Sequence, residues 1–235
     1  MSSPRQLPLA LRYPPDQRLE TFVAAPAAAI AQLHALAAGD GEWLYLCGPA
    51  GVGKTHLALA GCAEAESLGR AAHYLPLRAW AGRGAGALPT PLPGSFHALD
   101  GLEALAGDRD AEVALFDFHN AARDAGAHVL YTACEAPALL GLRLPDLRSR
   151  LGQCARIVLQ LPGDAERAEI LRLRAARRGL QFDDAAIEWL LRRVGRDLAS
   201  LTRLLDRLDR ESLAAQRRLT VPFLREVLGA DGAGS

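Results

Sequence analysis

The first compact apolar run in the chain, at 42–47, is short and bordered by glycine on both sides, and it predicts a buried strand. Before it, the Ala- and Leu-rich stretch 27–38 predicts a helix closed by Gly39-Asp40-Gly41. After it, 56–67, rich in Ala, Leu and Glu, predicts a second. Further apolar runs at 71–75, 95–100, 127–132 and 155–159 predict four more strands. The segment 110–125 carries apolar residues at 113 and 116 and at 115, 118 and 122, a helical period, and 147–151 is also expected to be helical. Strands alternating with helices at this spacing predict an α/β fold, a parallel five-stranded sheet sandwiched by helices. The stretch 79–94, dominated by Ala, Gly and Pro, predicts a mobile loop with at most one helical turn. Beyond Pro162 the strand pattern stops. Segments 164–178, 183–194, 197–216 and 220–228 predict helices, three opened by Asp and one by Thr in the N-cap position. The expected organisation is a flexible tail at 1–20, a nucleotide-binding base domain at 21–161, a small all-helical lid domain at 162–230 and a short tail at 231–235.

Composition changes this picture little. With 50% hydrophobic residues, 23% charged residues and a net charge of zero, nothing argues for a nucleic-acid or membrane-surface partner. No apolar run approaches the roughly 20 residues that span a bilayer. The N-terminal residues lead into no signal-type apolar core, so a cytoplasmic location is expected. Cys47, Cys62, Cys134 and Cys154 lack C-x-x-C spacing and are expected to be reduced, buried thiols.

Chemistry enters between the first strand and the helix after it. Gly48, Pro49, Ala50, Gly51, Val52, Gly53, Lys54 and Thr55 match the phosphate-binding pattern G-x-x-x-x-G-K-[ST] throughout, with His56 leading into the helix. Glycines let successive backbone N–H groups face a β-phosphate, and the helix N-terminus adds partial positive charge. Lys54 reaches the β and γ oxygens, and the Thr55 hydroxyl can ligate Mg²⁺. Of 27 basic side chains only Lys54 is a lysine; all the others are arginine. The expected cofactors are ADP or ATP with Mg²⁺. Asp100, ending an apolar strand, is the expected second metal group beside Thr55, against the alternative of a turn-forming Asp. The next position is Gly101, where many phosphate-loop ATPases carry a glutamate that activates water, and Glu103 stands two residues further on. Binding is therefore expected more firmly than hydrolysis.

Thr132, at the end of the fourth strand, is a candidate contact to a γ-phosphate or attacking water. Arg148 and Arg150 fall on a helix expected close to the C-terminal edge of the sheet, where an arginine could reach a neighbouring subunit's nucleotide; surface salt bridges are the bland alternative. In the Pro-rich tail, Leu7, Leu9 and Leu11 alternate in Gln6-Leu7-Pro8-Leu9-Ala10-Leu11, which is either an unstructured tail or an extended docking peptide.

The order of phosphate loop, Asp100, Thr132, Ser149-Arg150-Leu151 and helical lid resembles the AAA+ family, and within it the replication initiator DnaA. Closer still is the likeness to the Hda family of DnaA-related regulatory inactivators. It is carried by residues 6–11, Phe116-Asp117 with Asn120, Leu144-Pro145-Asp146-Leu147, and 215–223. The resemblance covers roughly residues 6 to 228. It implies that Gln6, Leu7, Leu9 and Leu11 bind the β sliding clamp of DNA polymerase III. It also implies that Arg150 is an arginine finger acting in trans on ATP held by DnaA, while Lys54 and Thr55 hold the chain's own nucleotide, ADP by that likeness. Assembly with further copies, no membrane contact and only indirect DNA contact through the clamp belong to the same expectation. Two departures stand out: Leu11 takes the place of the usual clamp-peptide Phe, and Ala199 that of the lid's sensor arginine, with Arg196 one turn away. An autonomous ATPase of helicase-loader or remodelling type is the alternative.

Overall fold

The computed structural model describes residues 18–22, 27–81, 88–177, 179–193, 204, 205, 207, 208 and 219–229. Five parallel strands form one sheet: β1 (Leu44–Cys47), β2 (Ala72–Pro76), β3 (Phe96–Asp100), β4 (His128–Ala133) and β5 (Ala155–Val158), in the spatial order β2-β3-β4-β1-β5. The central strand β1 is buried along its whole length because β4 and β5 flank it and helices cover both faces. Its expected start at residue 42 moves to Leu44. Trp43 stays outside the ladder and donates its indole N–H to the Ala127 carbonyl at 3.0 Å.

Side chains alternate across the sheet and divide the core in two. Leu44 and Leu46 face α1 (Ala27–Ala38) and α2 (Lys54–Ser67). Tyr45 and Cys47 face α3 (Arg109–Asp124) and α4 (Pro145–Gly152). The first core continues into α5 (Asp164–Arg177), α6 (Asp184–Leu191) and α7 (Val221–Gly229) through Ile170, Leu190 and Leu224. Asp183 caps α6, its carboxylate accepting from the Ala186 N–H at 2.6 Å. One departure from the all-helical expectation is a single parallel bridge between Phe182 and Leu219. Most of the expected helix 197–216 lies outside the described residues, as do positions 82–87 of the expected loop; Leu205 and Leu208 within the former are helical and fully buried. None of the four cysteines is in a disulfide, but only Cys47 and Cys62 are buried; Cys134 and Cys154 are half-buried, which corrects the expectation of four buried thiols. No helix among the described residues is long and apolar enough to cross a membrane.

One arginine pins the face built by α1. Arg70 Nη1 donates to the Leu36 and Ala37 carbonyls at 3.1 and 2.6 Å, in the last turn of α1. Its Nε and Nη2 donate to the Gly94 carbonyl, and Nη2 lies 2.9 Å from His128 Nδ1. The planar fork thus joins α1 to the starts of β3 and β4. Arg70→Ala is expected to lower unfolding free energy by about 2–4 kcal/mol, as charge-assisted bonds to backbone acceptors are lost together. Arg70→Lys should recover little of it, because an ammonium cannot span the three sites. Urea unfolding of the three proteins checks this.

Candidate functional site

The phosphate loop leaves β1 at Gly48, where the chain passes so close to β5 that a Cβ would lie 2.3 Å from the Leu159 carbonyl oxygen. Only glycine fits. Two neighbours fix the turn, with the Gly48 N–H donating to Ala133 and the Leu159 N–H to Cys47. The helix α2 then begins at Lys54, two residues ahead of the expected start, and no side chain caps it. Its first N–H groups are left to an anion. Lys54 Nζ donates to the Gly48 and Pro49 carbonyls at 2.6 and 2.9 Å, which holds the ammonium at the mouth of the loop. The His56 ring packs 5.3 Å from Phe22, and its Nε2 lies 3.4 Å from the Arg18 carbonyl, so residues 18–22 are moored against the start of α2.

Asp100 ends β3 beside the loop, and Thr55 Oγ1 donates to its Oδ2 at 2.8 Å. The two groups expected to hold Mg²⁺ are therefore adjacent, both hard oxygen donors, and the set fits a magnesium–nucleotide at this cradle. Sequence reading missed a third partner. Tyr74, on the neighbouring strand β2, donates its hydroxyl to the same Oδ2 at 2.8 Å. Burial, and then the charge of Asp100, push the Tyr74 hydroxyl far above the ordinary phenol range, so it stays a donor. Only the strand order makes this pair neighbours, and the sequence offers no signal for it.

Thr132 takes a different part from the expected one. It is fully buried, donates to Asp100 Oδ1 at 2.5 Å and accepts the Gly101 N–H at 3.0 Å. Its hydroxyl is committed to orienting Asp100, so the expectation of a direct phosphate contact gives way to that role. Gly101 itself has φ 87° and opens a 3-10 turn, Leu102–Ala104. An L side chain is strained in that conformation, so the position that carries a catalytic glutamate elsewhere is here shaped for glycine. Glu103 turns to the end of β4, where Oε2 accepts the Cys134 N–H at 3.1 Å.

The arginine pair is the main correction to placement. A helix that returns between parallel strands runs against them, so residues late in α4 lie at the edge where strands begin. The Gln153 N–H donates to the Arg150 carbonyl at 3.1 Å, and two residues later Ala155 opens β5 opposite Leu44, the first residue of β1. Arg150 therefore sits at the N-terminal edge, not the C-terminal edge expected, with the length of β1 between it and Lys54. It is half-buried, while Arg148 is exposed. Among the described residues no carboxylate lies within ion-pair distance of Arg150. Nearby, His119 packs 4.7 Å from Trp43. Burial, then Arg123, then Arg150 hold this imidazole down at about 4, so it is neutral at physiological pH. Gln6, Leu7, Leu9 and Leu11 lie outside the described residues, as do Arg196 and Ala199.

Comparison with known proteins bears on the fold and the lid. Residues 164–228 match the family model described as the Hda lid domain. Domain III of the replication initiation protein DnaA from Thermotoga maritima superposes with a TM-score of 0.77 at 19% identity, covering 93% of this chain and 98% of that one. AMPPCP-bound DnaA from Aquifex aeolicus gives 0.68 at 20% identity over 86% of this chain and 69% of that one. The Thermotoga maritima RuvB Holliday junction branch migration motor gives 0.68 at 22% identity, with 91% and 72% covered. At these identities the likeness to the solved structures is one of fold, the AAA+ fold of a sheet with flanking helices and a helical lid.

Proposed function

We propose that this chain, an AAA+ protein related to Hda and DnaA, is a regulatory adaptor that holds its own adenine nucleotide and presents Arg150 to ATP bound by DnaA. Stimulated hydrolysis of that ATP would prevent a second round of initiation. The observation that carries the reading is the separation of the two charged devices. Lys54 stands at one edge of the sheet and the uncompensated Arg150 at the other, so the arginine has access to a nucleotide only on another subunit. Gly101 supports the same division of labour, because no acid adjoins Asp100 on the chain to activate water at its own site.

In this reading Gly48 to Thr55 wrap the phosphates of ADP, Lys54 offsets their charge, and Thr55 and Asp100 hold Mg²⁺, with Tyr74 and Thr132 fixing the carboxylate. The metal supplies charge neutralisation between phosphate oxygens when bound. Gln6, Leu7, Leu9 and Leu11 dock on the β sliding clamp, and DNA is reached through the clamp.

A tether contributes effective concentration and no chemistry. A chain lacking residues 1–12 should therefore lose clamp binding and lose stimulation at low protein concentration, yet regain stimulation when its concentration is raised. Single-turnover hydrolysis of DnaA-bound ATP, with clamp loaded on DNA, measures both. Equal stimulation by the truncated and full chains at every concentration would remove the tether from the scheme. Sustained ATP turnover by the chain alone would favour the autonomous ATPase instead.

A further inference from the structure

The buried carboxylate of Glu112 has no part in the nucleotide site, and no cation pairs with it among the described residues. It lies on α3, within the apolar stripe that faces the second core, and is fully buried. Its partners are backbone N–H groups only. Gly107 donates to Oε1 at 2.7 Å, Arg143 to Oε1 and Oε2 at 3.1 and 2.8 Å, and Leu144 to Oε2 at 2.7 Å. Charge-assisted bonds of this kind are strong and directional, and a buried carboxylate left without them is costly. Leu144 is the N-cap residue of α4 and has no side chain able to cap it. Glu112 therefore holds the entry to α4 from outside, placing negative charge near that helix's N-terminus.

We propose that Glu112 is the positioning residue of the arginine finger, setting the direction of α4 and thereby where Arg150 ends up; this rests on the reading of Arg150 given above. Arg150 follows Pro145 by five residues, and its side chain extends further. With about 1.5 Å rise per residue, a tilt of about 10° at the Glu112 anchor moves the guanidinium by about 2 Å. Displacement of a group that must meet a transferring phosphoryl by even ~1 Å costs on the order of 10²-fold in rate. Leu147 and Leu151 bury one side of α4 but are apolar contacts without direction, so the angular definition at the entry comes from the carboxylate.

Glu112→Gln keeps the shape but offers the N–H groups one acceptor where there were two, and turns an amide donor toward the others. Glu112→Asp keeps the charge and is one methylene short. In single-turnover hydrolysis of DnaA-bound ATP at saturating chain, Glu112→Gln should lower the maximal rate about 10- to 100-fold and Glu112→Asp by an intermediate factor. The concentration giving half-maximal stimulation and the affinity for ADP should stay near wild type. Amide exchange in the ADP-bound full chain should rise over 143–152 and not over 54–67. A merely stabilising role would shift unfolding without moving the rate at saturation. If Arg150→Ala abolishes stimulation while both folded Glu112 variants keep the full maximal rate, the positioning role is overturned and the finger stands. If Arg150→Ala also keeps it, both fall. Should Glu112→Gln not bind ADP, the aspartate variant decides on the same two outcomes.

Discussion

Arg150→Ala should reduce stimulated hydrolysis of DnaA-bound ATP by about 10³-fold or more, the range over which arginine fingers act on a transferring phosphoryl group. Arg150 is half-buried at the N-terminal edge of the sheet and no carboxylate neutralises it among the described residues. Its full charge is thus available across an interface. Binding of the chain's own nucleotide should be unchanged in this variant, since Lys54 lies at the opposite edge. Arg150→Lys should rescue poorly, because the ammonium lacks the planar fork that spans two oxygens. Arg148 provides the internal control. It is exposed and two residues away on the same short helix, hence on another face. Loss with Arg148→Ala and not with Arg150→Ala would shift the assignment to the neighbouring arginine; full stimulation by both variants would end the finger mechanism.

Lys54→Ala should weaken ADP binding with Mg²⁺ by about two orders of magnitude, at the upper end of what one charge-assisted contact contributes. The loop fixes the ammonium at the head of α2 through the Gly48 and Pro49 carbonyls, and no other lysine exists in the chain to substitute. Lys54→Arg should also bind poorly, as the planar fork replaces a compact ammonium that the Gly48 and Pro49 carbonyls hold at the mouth of the loop. Titration calorimetry at constant magnesium reads the effect, and unchanged affinity in Lys54→Ala would make the loop vestigial.

What the amino-acid order conveys about this molecule follows the range of the forces involved. The helix 27–38 is found at Ala27–Ala38, and the strands lie within two residues of expectation, because local periodicity and turn residues delimit them. The phosphate loop is equally legible, being one contiguous turn. Arg150 was expected at the opposite edge, since the direction of α4 depends on where β5 joins the sheet and not on α4 itself. Tyr74 was invisible for a similar reason: it meets Asp100 only once β2 and β3 pair. Glu112 did leave a trace. An acid three residues before Leu115 and six before Phe118 sits in the apolar stripe of α3 and calls for a buried partner. Nothing in the sequence says that the partner is the backbone at 143 and 144.

The left-handed glycine after Asp100 also bears on ancestry. If an ancestor hydrolysed its own nucleotide with a glutamate at this position, that capacity is not one substitution away. Gly101→Glu would place a side chain on a backbone with φ 87°, at a cost of about 1–2 kcal/mol. The strain could be relieved only by rotating a peptide whose N–H is already bonded to both the carbonyl and the hydroxyl of Thr132. Restoring a catalytic acid thus requires the turn at Leu102–Ala104 and the Thr132 contact to change together, and each intermediate step loses fold stability before any activity is gained. Selection acting on single substitutions meets a ratchet here.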